Sequence, residues 1–415
     1  MNKLFDLTEK ESARQRDTLN LIASENYPSP RVIQLLGSIW NDKYAEGYPG
    51  KRYYAGNVLS DELEEFVKTK ALEAFDISGE YGVNVQVLSG SPANAMVYFT
   101  VLEPGDTVLS LNLNSGGHLS HMHGTSSYLK FFKHATYGVS VGPNGYEIDL
   151  DDFKSKVESL KPRLVVIGFS AYPRKYEFAK LCKIAHQHGA LVLADIAHIA
   201  GLVATGLHDS PFKHDGDGAD FITTTTHKTL RGPRSALLFA KHQYMEAINK
   251  TVFPGTSGGP HLNQIAAVGQ ALMEVLGEDV YPDQLPFKKY MEAVVSNTQA
   301  LEAGLLNGGL DVVAPTQTHL SLVKLPESID SLELQTKLEK LGIITNRNAV
   351  PEDSKSPWRP GGLRLGMAAL TSRGMAAKQS EELGKGIASV VTGEATVAIA
   401  GNMVQETIGE LNWWY

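Results

Sequence analysis

The chain has 415 residues and a formal net charge of −8, with 42% hydrophobic and 20% charged residues. This composition supports a sizeable core and more than one domain, and the acidic balance argues against a dedicated nucleic-acid or anionic-membrane binder. A single cysteine, Cys182, excludes an internal disulfide framework, Met1 to Asp17 lacks a signal-type apolar core, and the apolar runs fall short of the ~20 residues of a membrane span, so a cytoplasmic protein is expected.

In chain order, residues 1–45 read as a mostly helical N-terminal arm with a turn at "YPSP", too short to build its own core. Residues 46–275 alternate short apolar runs with amphipathic segments. "VLSLNL", "LVVIGFSA", "ALVLADIA", "DFITTTTH" and "SALLFA" read as strands, and "DLDDFKSKVESL" and "YEFAKLCKIAHQHG" read as helices. Strands alternating with helices imply βαβ units and a mostly parallel sheet, whose ligands gather at the carboxyl ends of the strands. Residues 276–415 change pattern: a long helix over "PFKKYMEAVVSNTQALEAGLLNGG", then "HLSLVKL", a helical "SLELQTKLEKLG", "IITNRN", a strand-like "GLRLGMAAL" and a final helix. That pattern suggests a smaller α+β domain.

Several residues carry chemistry. Asp195 follows four apolar strand residues, where a carboxylate is costly without a partner; it either caps the next helix or meets a protonated ring nitrogen. Lys228 lies at the end of the next strand, in "TTTTHKTLRGPR". An acid on one strand end and a lysine on the next suit a pyridoxal-phosphate enzyme, with the lysine as Schiff-base former and the carboxylate on the pyridine nitrogen. Arg231 and Arg234 are expected to depress the lysine pKa. In "VLSGSPANA", Ser89, Gly90 and Ser91 offer hydroxyl and backbone N–H donors for a phosphate at a helix N-terminus. In "GGHLSHMHG", His118, His121 and His123 suggest a metal site, but no thiolate or carboxylate ligand accompanies them. The preferred alternative stacks His118 on the cofactor ring, so no metal is expected. Arg364 in "GLRLG" is a candidate bidentate partner for a substrate carboxylate.

Taken together, "LIASENYPSP", "KYAEGYPGKRYYAGN", "VLSGSPANA", "GGHLSH", "FSAYPR", "DIAHIAGLVA", "TTTTHKTLRGPR", "FPGTSGGP", "NRNAVPEDSKSP" and "GLRLG" resemble serine hydroxymethyltransferase, a fold-type I pyridoxal-phosphate family. The resemblance implies an α/β large domain with a seven-stranded-type sheet and a smaller C-terminal α+β domain. It makes Lys228 the cofactor lysine, places Asp195 on the ring nitrogen and His118 on the ring face, and assigns Ser170 and His198 to the ring hydroxyl. Ser89, Gly90, Ser91 and His227 fall to the phosphate side, and Thr225 and Arg234 are further cofactor-binding residues. His227, beside the lysine, is expected to orient the cofactor rather than act as the base. Ser24, His198 and Arg364 would hold the amino acid, and Glu46, Tyr53 and Tyr54 would supply proton transfer and substrate contacts. Tyr44 and Gly259 correspond to residues reaching the cofactor of a second subunit, implying a homodimer. Leu113, Gly117, Leu119 and Asn348 fall where the family takes tetrahydrofolate.

The implied activity is reversible transfer of the serine hydroxymethyl group to tetrahydrofolate. The sequence departs from the family pattern at Ser115, at the residues Met122 and His123 inserted before Gly124, at Asn263, and in "PWRPGG" and "GMAAL". These departures are expected near the folate and substrate side. A related aldol enzyme therefore stays open: a threonine-type aldolase, a transaldolase or an α-substituted-serine hydroxymethyltransferase. A non-catalytic scaffold is opposed by Lys228, Asp195 and Arg364, none of which packing would require.

Overall fold

Apolar residues that alternate along a strand face opposite sides of a sheet, and here the two sets enter two different cores. In the computed structural model, which describes residues 2–77, 79–212, 218–282, 284–394 and 397–415, Val165 and Ile167 join one buried cluster while Leu164 and Val166 join another. The strands of this sheet are β1 (Tyr81–Asn84), β2 (Thr107–Leu111), β3 (Lys133–Tyr137), β4 (Leu164–Ile167), β5 (Leu191–Asp195), β6 (Phe221–Thr225) and β7 (Ala236–Lys241). Their order is β1-β7-β6-β5-β4-β2-β3. Strand β7 runs antiparallel to both its neighbours, and the other pairings are parallel. This is the mostly parallel sheet that the alternating pattern implied, with the seven strands that the resemblance implied. Its register sets Asp195 opposite Thr223, so the acid of β5 and the lysine loop after β6 leave the sheet side by side.

The helix Phe287–Asn307 spans two cores. Phe287, Tyr290, Met291 and Val294 pack against the large sheet, whereas Leu301 and Leu305 enter a second cluster with Leu363, Leu365 and Leu383. That cluster lies against a four-stranded antiparallel sheet of β8 (Asp311–Val312), β9 (Leu320–Lys324), β10 (Asn346–Asn348) and β11 (Gly362–Gly366), ordered β8-β9-β11-β10.

Several local expectations change. "IITNRN" is two short strands with different partners: Ile343–Ile344 pairs in parallel with Leu19–Asn20, and Asn346–Asn348 pairs with β11. "GLRLGMAAL" stops being a strand at Gly366 and turns into the helix Ala368–Ser372. The final helix is two, Ala377–Thr392 and Val397–Gly409. The N-terminal stretch does contribute to a core: Leu19 and Leu21 are fully buried in the second cluster, while the helix Lys3–Arg16 buries nothing. Periodicity within a segment could not reveal a two-residue strand whose partner lies more than 320 positions away. Among the described residues no helix is long and apolar enough to cross a membrane.

Candidate active site

Parallel strands leave their carboxyl ends on one edge of the sheet, and the loops that follow enclose the space between them. Here they form a cavity of about 430 Å³, lined by the segments after β4, β5 and β6, by the loop Leu113–His121, by the N-terminus of the helix Gly90–Val101, by Ser24 and by Arg364 of β11. Of the sequence-predicted residues, Ser24, Ser89, Gly90, Ser91, Leu113, Gly117, His118, Leu119, Ser170, Asp195, His198, Thr225, His227, Lys228, Arg234 and Arg364 all line it.

Asp195 does not cap a helix through its side chain. Its Oδ2 accepts from Asn94 Nδ2 at 2.8 Å and from His121 Nε2 at 3.0 Å, and its Oδ1 accepts from the Ala197 N–H at 3.1 Å. Burial pushes this carboxyl up, but the His121 hydrogen bond and charge, with the Asn94 bond, outweigh it and hold Asp195 below the usual carboxylate range. Asn94 is itself fixed: it accepts from Thr223 Oγ1 at 2.6 Å and donates to Ser120 Oγ at 3.0 Å. That serine hydroxyl lies 2.7 Å from His118 Nδ1, which fixes the angle of the imidazole. Burial lowers His118 to about 4, so at neutral pH it presents an uncharged flat face.

Lys228 is 8% exposed. Burial lowers its amine to about 8 against the pull of Asp195, and Arg364 and Arg234 add to the lowering. The expectation for Arg231 is corrected here. That guanidinium turns away from the cavity and lies over the Tyr290 ring at 4.5 Å and the Phe287 ring at 5.9 Å. Arg231 adopts a left-handed backbone with φ of 57°, which reverses the chain after the lysine. Both Lys228 and Asp195 line the cavity, and among the described residues no ion pair joins them.

The phosphate end fits a phosphorylated cofactor. Ser89 is the N-cap of the helix Gly90–Val101, yet its side chain makes no capping bond, leaving its hydroxyl and the first helical N–H groups for an anion. A Cβ on Gly90 would come within 2.8 Å of Thr225 Cγ2, so glycine is needed for the helix end to approach β6. His227 Nδ1 is buried without a hydrogen-bond partner. Its pKa is lowered to about 3 by burial and then by Lys228 and Arg234, so the ring is neutral and can donate one N–H.

Arg364 crosses from the smaller sheet. Its Nε donates to Asn346 Oδ1 at 3.0 Å and its Nη1 to the Ser170 carbonyl at 2.6 Å. Burial lowers it to about 10, so it stays cationic at neutral pH, and no carboxylate among the described residues pairs with it. A buried guanidinium with an unused donor edge is built for a carboxylate. Ser170 also fixes the glycine pair: its hydroxyl donates to the Gly117 carbonyl at 3.0 Å. His198 faces His319, Nδ1 to Nε2, at 3.2 Å, and burial holds His198 far below its ordinary value.

Besides Arg231, six predicted site residues lie outside this cavity. Tyr44, Glu46, Tyr53, Tyr54 and Gly259 form a separate patch. The Tyr44 hydroxyl donates to Glu46 Oε1 at 3.3 Å, the Tyr44 and Tyr54 rings meet edge to face at 5.3 Å, and a Cβ on Gly259 would lie 3.3 Å from Tyr44 Cζ. Tyr53 is 72% exposed. Glu46 raises the Tyr54 phenol. Asn348 sits on β10 and donates to the Ala349 carbonyl at 2.7 Å, beyond the cavity wall. Two sequence departures also fall away from it: Asn263 donates to the Leu36 carbonyl at 2.8 Å, and Trp358 is exposed. Their loops are close to the family motifs in sequence, but packing carries these side chains elsewhere.

The structure adds residues that the sequence reading left without a role: Asn94, Thr223 and His121 around Asp195, and His319 beside His198. Thr223 and His121 had a signal, since a hydroxyl and an imidazole sat inside the motifs themselves. His319 had none, because nothing in "TQTHLSL" points to a residue 121 positions earlier.

A sequence profile of the serine hydroxymethyltransferase family matches residues 1–387. A protein named serine hydroxymethyltransferase from Desulfotalea psychrophila (strain LSv54 / DSM 12343) is 42% identical over 406 residues, covering 97% of this chain and 92% of that protein.

Proposed function

The chain belongs to the serine hydroxymethyltransferase family, and from that premise we propose how its own residues do the work. It is a fold-type I, pyridoxal-phosphate-dependent transferase that moves the hydroxymethyl group of serine to tetrahydrofolate, leaving glycine and methylenetetrahydrofolate. When bound, pyridoxal phosphate withdraws the electron pair left on the amino-acid α-carbon as its bond to the hydroxymethyl carbon breaks.

Lys228 would hold the cofactor covalently, because an amine lowered to about 8 carries enough of its uncharged, nucleophilic form at neutral pH. Asp195, kept ionised, would hold a proton on the ring nitrogen, and His118 would cover the ring. Ser89, Gly90, Ser91, Thr225, His227 and Arg234 take the phosphate, and Ser170 and His198 take the ring hydroxyl. Arg364 orients the substrate carboxylate, with Ser24 and His198 beside it. Leu113 and Leu119, the latter 59% exposed at the cavity mouth, offer an apolar edge to folate together with Gly117, whereas Asn348 could reach it only from beyond the cavity wall. The observation that carries these roles is one cavity holding a desolvated lysine, an ionised acid and a buried guanidinium with no carboxylate of its own.

Glu46 with Tyr54 moves the proton, Tyr53 contacts the substrate, and Tyr44 and Gly259 approach the cofactor, each in the cavity of a second copy of the chain. Their separation from the cavity of their own chain and the exposure of their rings support a homodimer with shared sites. The single cysteine, buried in the helix Phe178–Gln187, supports a cytoplasmic setting. A division into 1–45, 46–275 and 276–415 is supported by the two cores bridged by the helix Phe287–Asn307, with Leu19 and Leu21 attached to the later unit.

The test of the assignments is spectroscopic. The holoenzyme with glycine should develop a strong long-wavelength absorbance only when tetrahydrofolate is added, and Lys228→Ala should abolish borohydride-trapped cofactor. A Lys228→Ala chain that still traps cofactor would remove this lysine from its role.

A further inference from the structure

Asn26 has no role above, although it touches the most important peptide in the cavity wall. Its carboxamide is saturated. Nδ2 donates to the Lys228 carbonyl oxygen at 2.8 Å and to the Tyr290 hydroxyl at 2.8 Å. Oδ1 accepts from Ser372 Oγ at 2.7 Å and from the Tyr27 N–H at 2.9 Å. Two donors and two acceptors are all a primary amide can offer. An asparagine that only closed its own turn would bond locally, yet both Nδ2 bonds reach residues 202 and 264 positions away.

The partners on the other side lead to Arg364. The Tyr290 hydroxyl donates to the Ala368 carbonyl at 3.1 Å. Ala368 and Ser372 are the two ends of the short helix that follows β11, the strand bearing Arg364. The segment carrying Asn26 is fastened to that same strand: the Gly366 N–H donates to the Leu21 carbonyl at 2.8 Å, and a Cβ on Gly366 would lie 2.4 Å from Ala23 Cα. Asn26 is therefore built into the end of the smaller sheet while it grips the lysine peptide of the larger one. On the lysine side a second clamp operates, since Thr229 Oγ1 donates to the His198 carbonyl at 3.1 Å and accepts from the Gly201 N–H at 3.0 Å.

We propose that Asn26 is a positioning residue, which fixes the Lys228 peptide relative to the strand that presents Arg364. The amine that must exchange with the substrate amine and the guanidinium that holds the substrate carboxylate are then kept in register for the two ends of one amino acid. This rests on the roles given above to Lys228 and Arg364.

Asn26→Asp keeps shape and the accepting oxygen but puts an oxygen against the Lys228 carbonyl. In the holoenzyme it should lower kcat roughly tenfold or more, as small misplacements of reacting groups do, while KM for serine stays within about twofold. The pH titration of the bound cofactor's visible absorbance, read without substrate, should shift as well. Ser372→Ala, which cuts only the tether to the short helix, should move both readouts in the same direction by less. Parent-like kcat and titration in Asn26→Asp would overturn the proposal. If that variant does not fold, Ser372→Ala combined with Tyr290→Phe decides: lowered kcat with a shifted titration supports it, and no change in either overturns it. Failure of the underlying roles is separate, because it would appear as cofactor trapped on a Lys228→Ala chain whatever Asn26 does.

Discussion

His121 Nε2 stands 3.0 Å from Asp195 Oδ2, with His121 only 1% exposed. The acid proposed to meet the cofactor's ring nitrogen is therefore held by an imidazole from the histidine loop, and the ionised state of Asp195 depends on it. A carboxyl whose folded pKa is depressed lends stability above its unfolded value of 3.8 and loses it only as pH falls through the lower folded value. His121→Phe keeps ring volume and removes the donor, so Asp195 should ionise less readily. We expect kcat/KM for serine to fall by roughly 10- to 100-fold, with the acid limb of its pH profile moving upward. An unmoved acid limb would show that Asn94 and the Ala197 N–H suffice.

Lys228 should cost the cofactor-free chain stability. Its folded pKa of about 8 lies below the 10.5 of an unburied lysine. Below pH 8 the unfolded chain binds the proton more tightly, a penalty on the order of 3 kcal/mol that fades as pH rises from 8 toward 10.5. Lys228→Met should therefore raise the thermal midpoint of the apo chain at pH 7 and flatten its rise across that window. A lower midpoint at pH 7 would mean that the amine is not held against burial.

Removing the buried guanidinium should be read in substrate affinity. Arg364→Ala should cost about 2–5 kcal/mol in kcat/KM for serine, as when one partner of a buried charged pair is lost. Arg364→Lys should recover little, since an ammonium cannot reach the Asn346 side chain, the Ser170 carbonyl and a carboxylate together. Steady-state kinetics with serine as the varied substrate would reveal the effect, and an unchanged KM would take Arg364 out of the carboxylate site.

Sites shared between two copies make a complementation test possible. A Lys228→Ala chain and a Glu46→Gln chain, each nearly inactive alone, should regain about a quarter of parental activity when refolded together in equal amounts, because half the dimers are mixed and each then has one intact site. No recovery would place Glu46 in the cavity of its own chain or remove it from the reaction.

Which parts of this could be read from the residues alone follows from the range of the interactions. The strand ending in Asp195, the lysine after "TTTTH" and the Ser89–Ser91 helix start were legible, because each is a local pattern whose position at a strand or helix end already implies its chemistry. Arg231 misled for the same reason. It lies three residues from Lys228, but its left-handed φ of 57° sends the side chain to Tyr290 and Phe287. Asn263 and Trp358 were expected near the folate and substrate side from their departure from the family pattern, and packing keeps both out of the cavity of their own chain.

The sequence by itself determined the alternation that makes a parallel sheet and the motifs that put a lysine, an acid and a Gly-Ser helix start at the ends of neighbouring elements. Short-range periodicity and spacing encode all of these. Only the tertiary structure decided that His121 holds Asp195, that His319 meets His198, that Asn26 grips the Lys228 peptide, and that the Glu46 patch lies apart from the cavity of its own chain. Those relationships join residues tens to hundreds of positions apart. They are set by how helices and two sheets pack on one another, which no local pattern in the chain records.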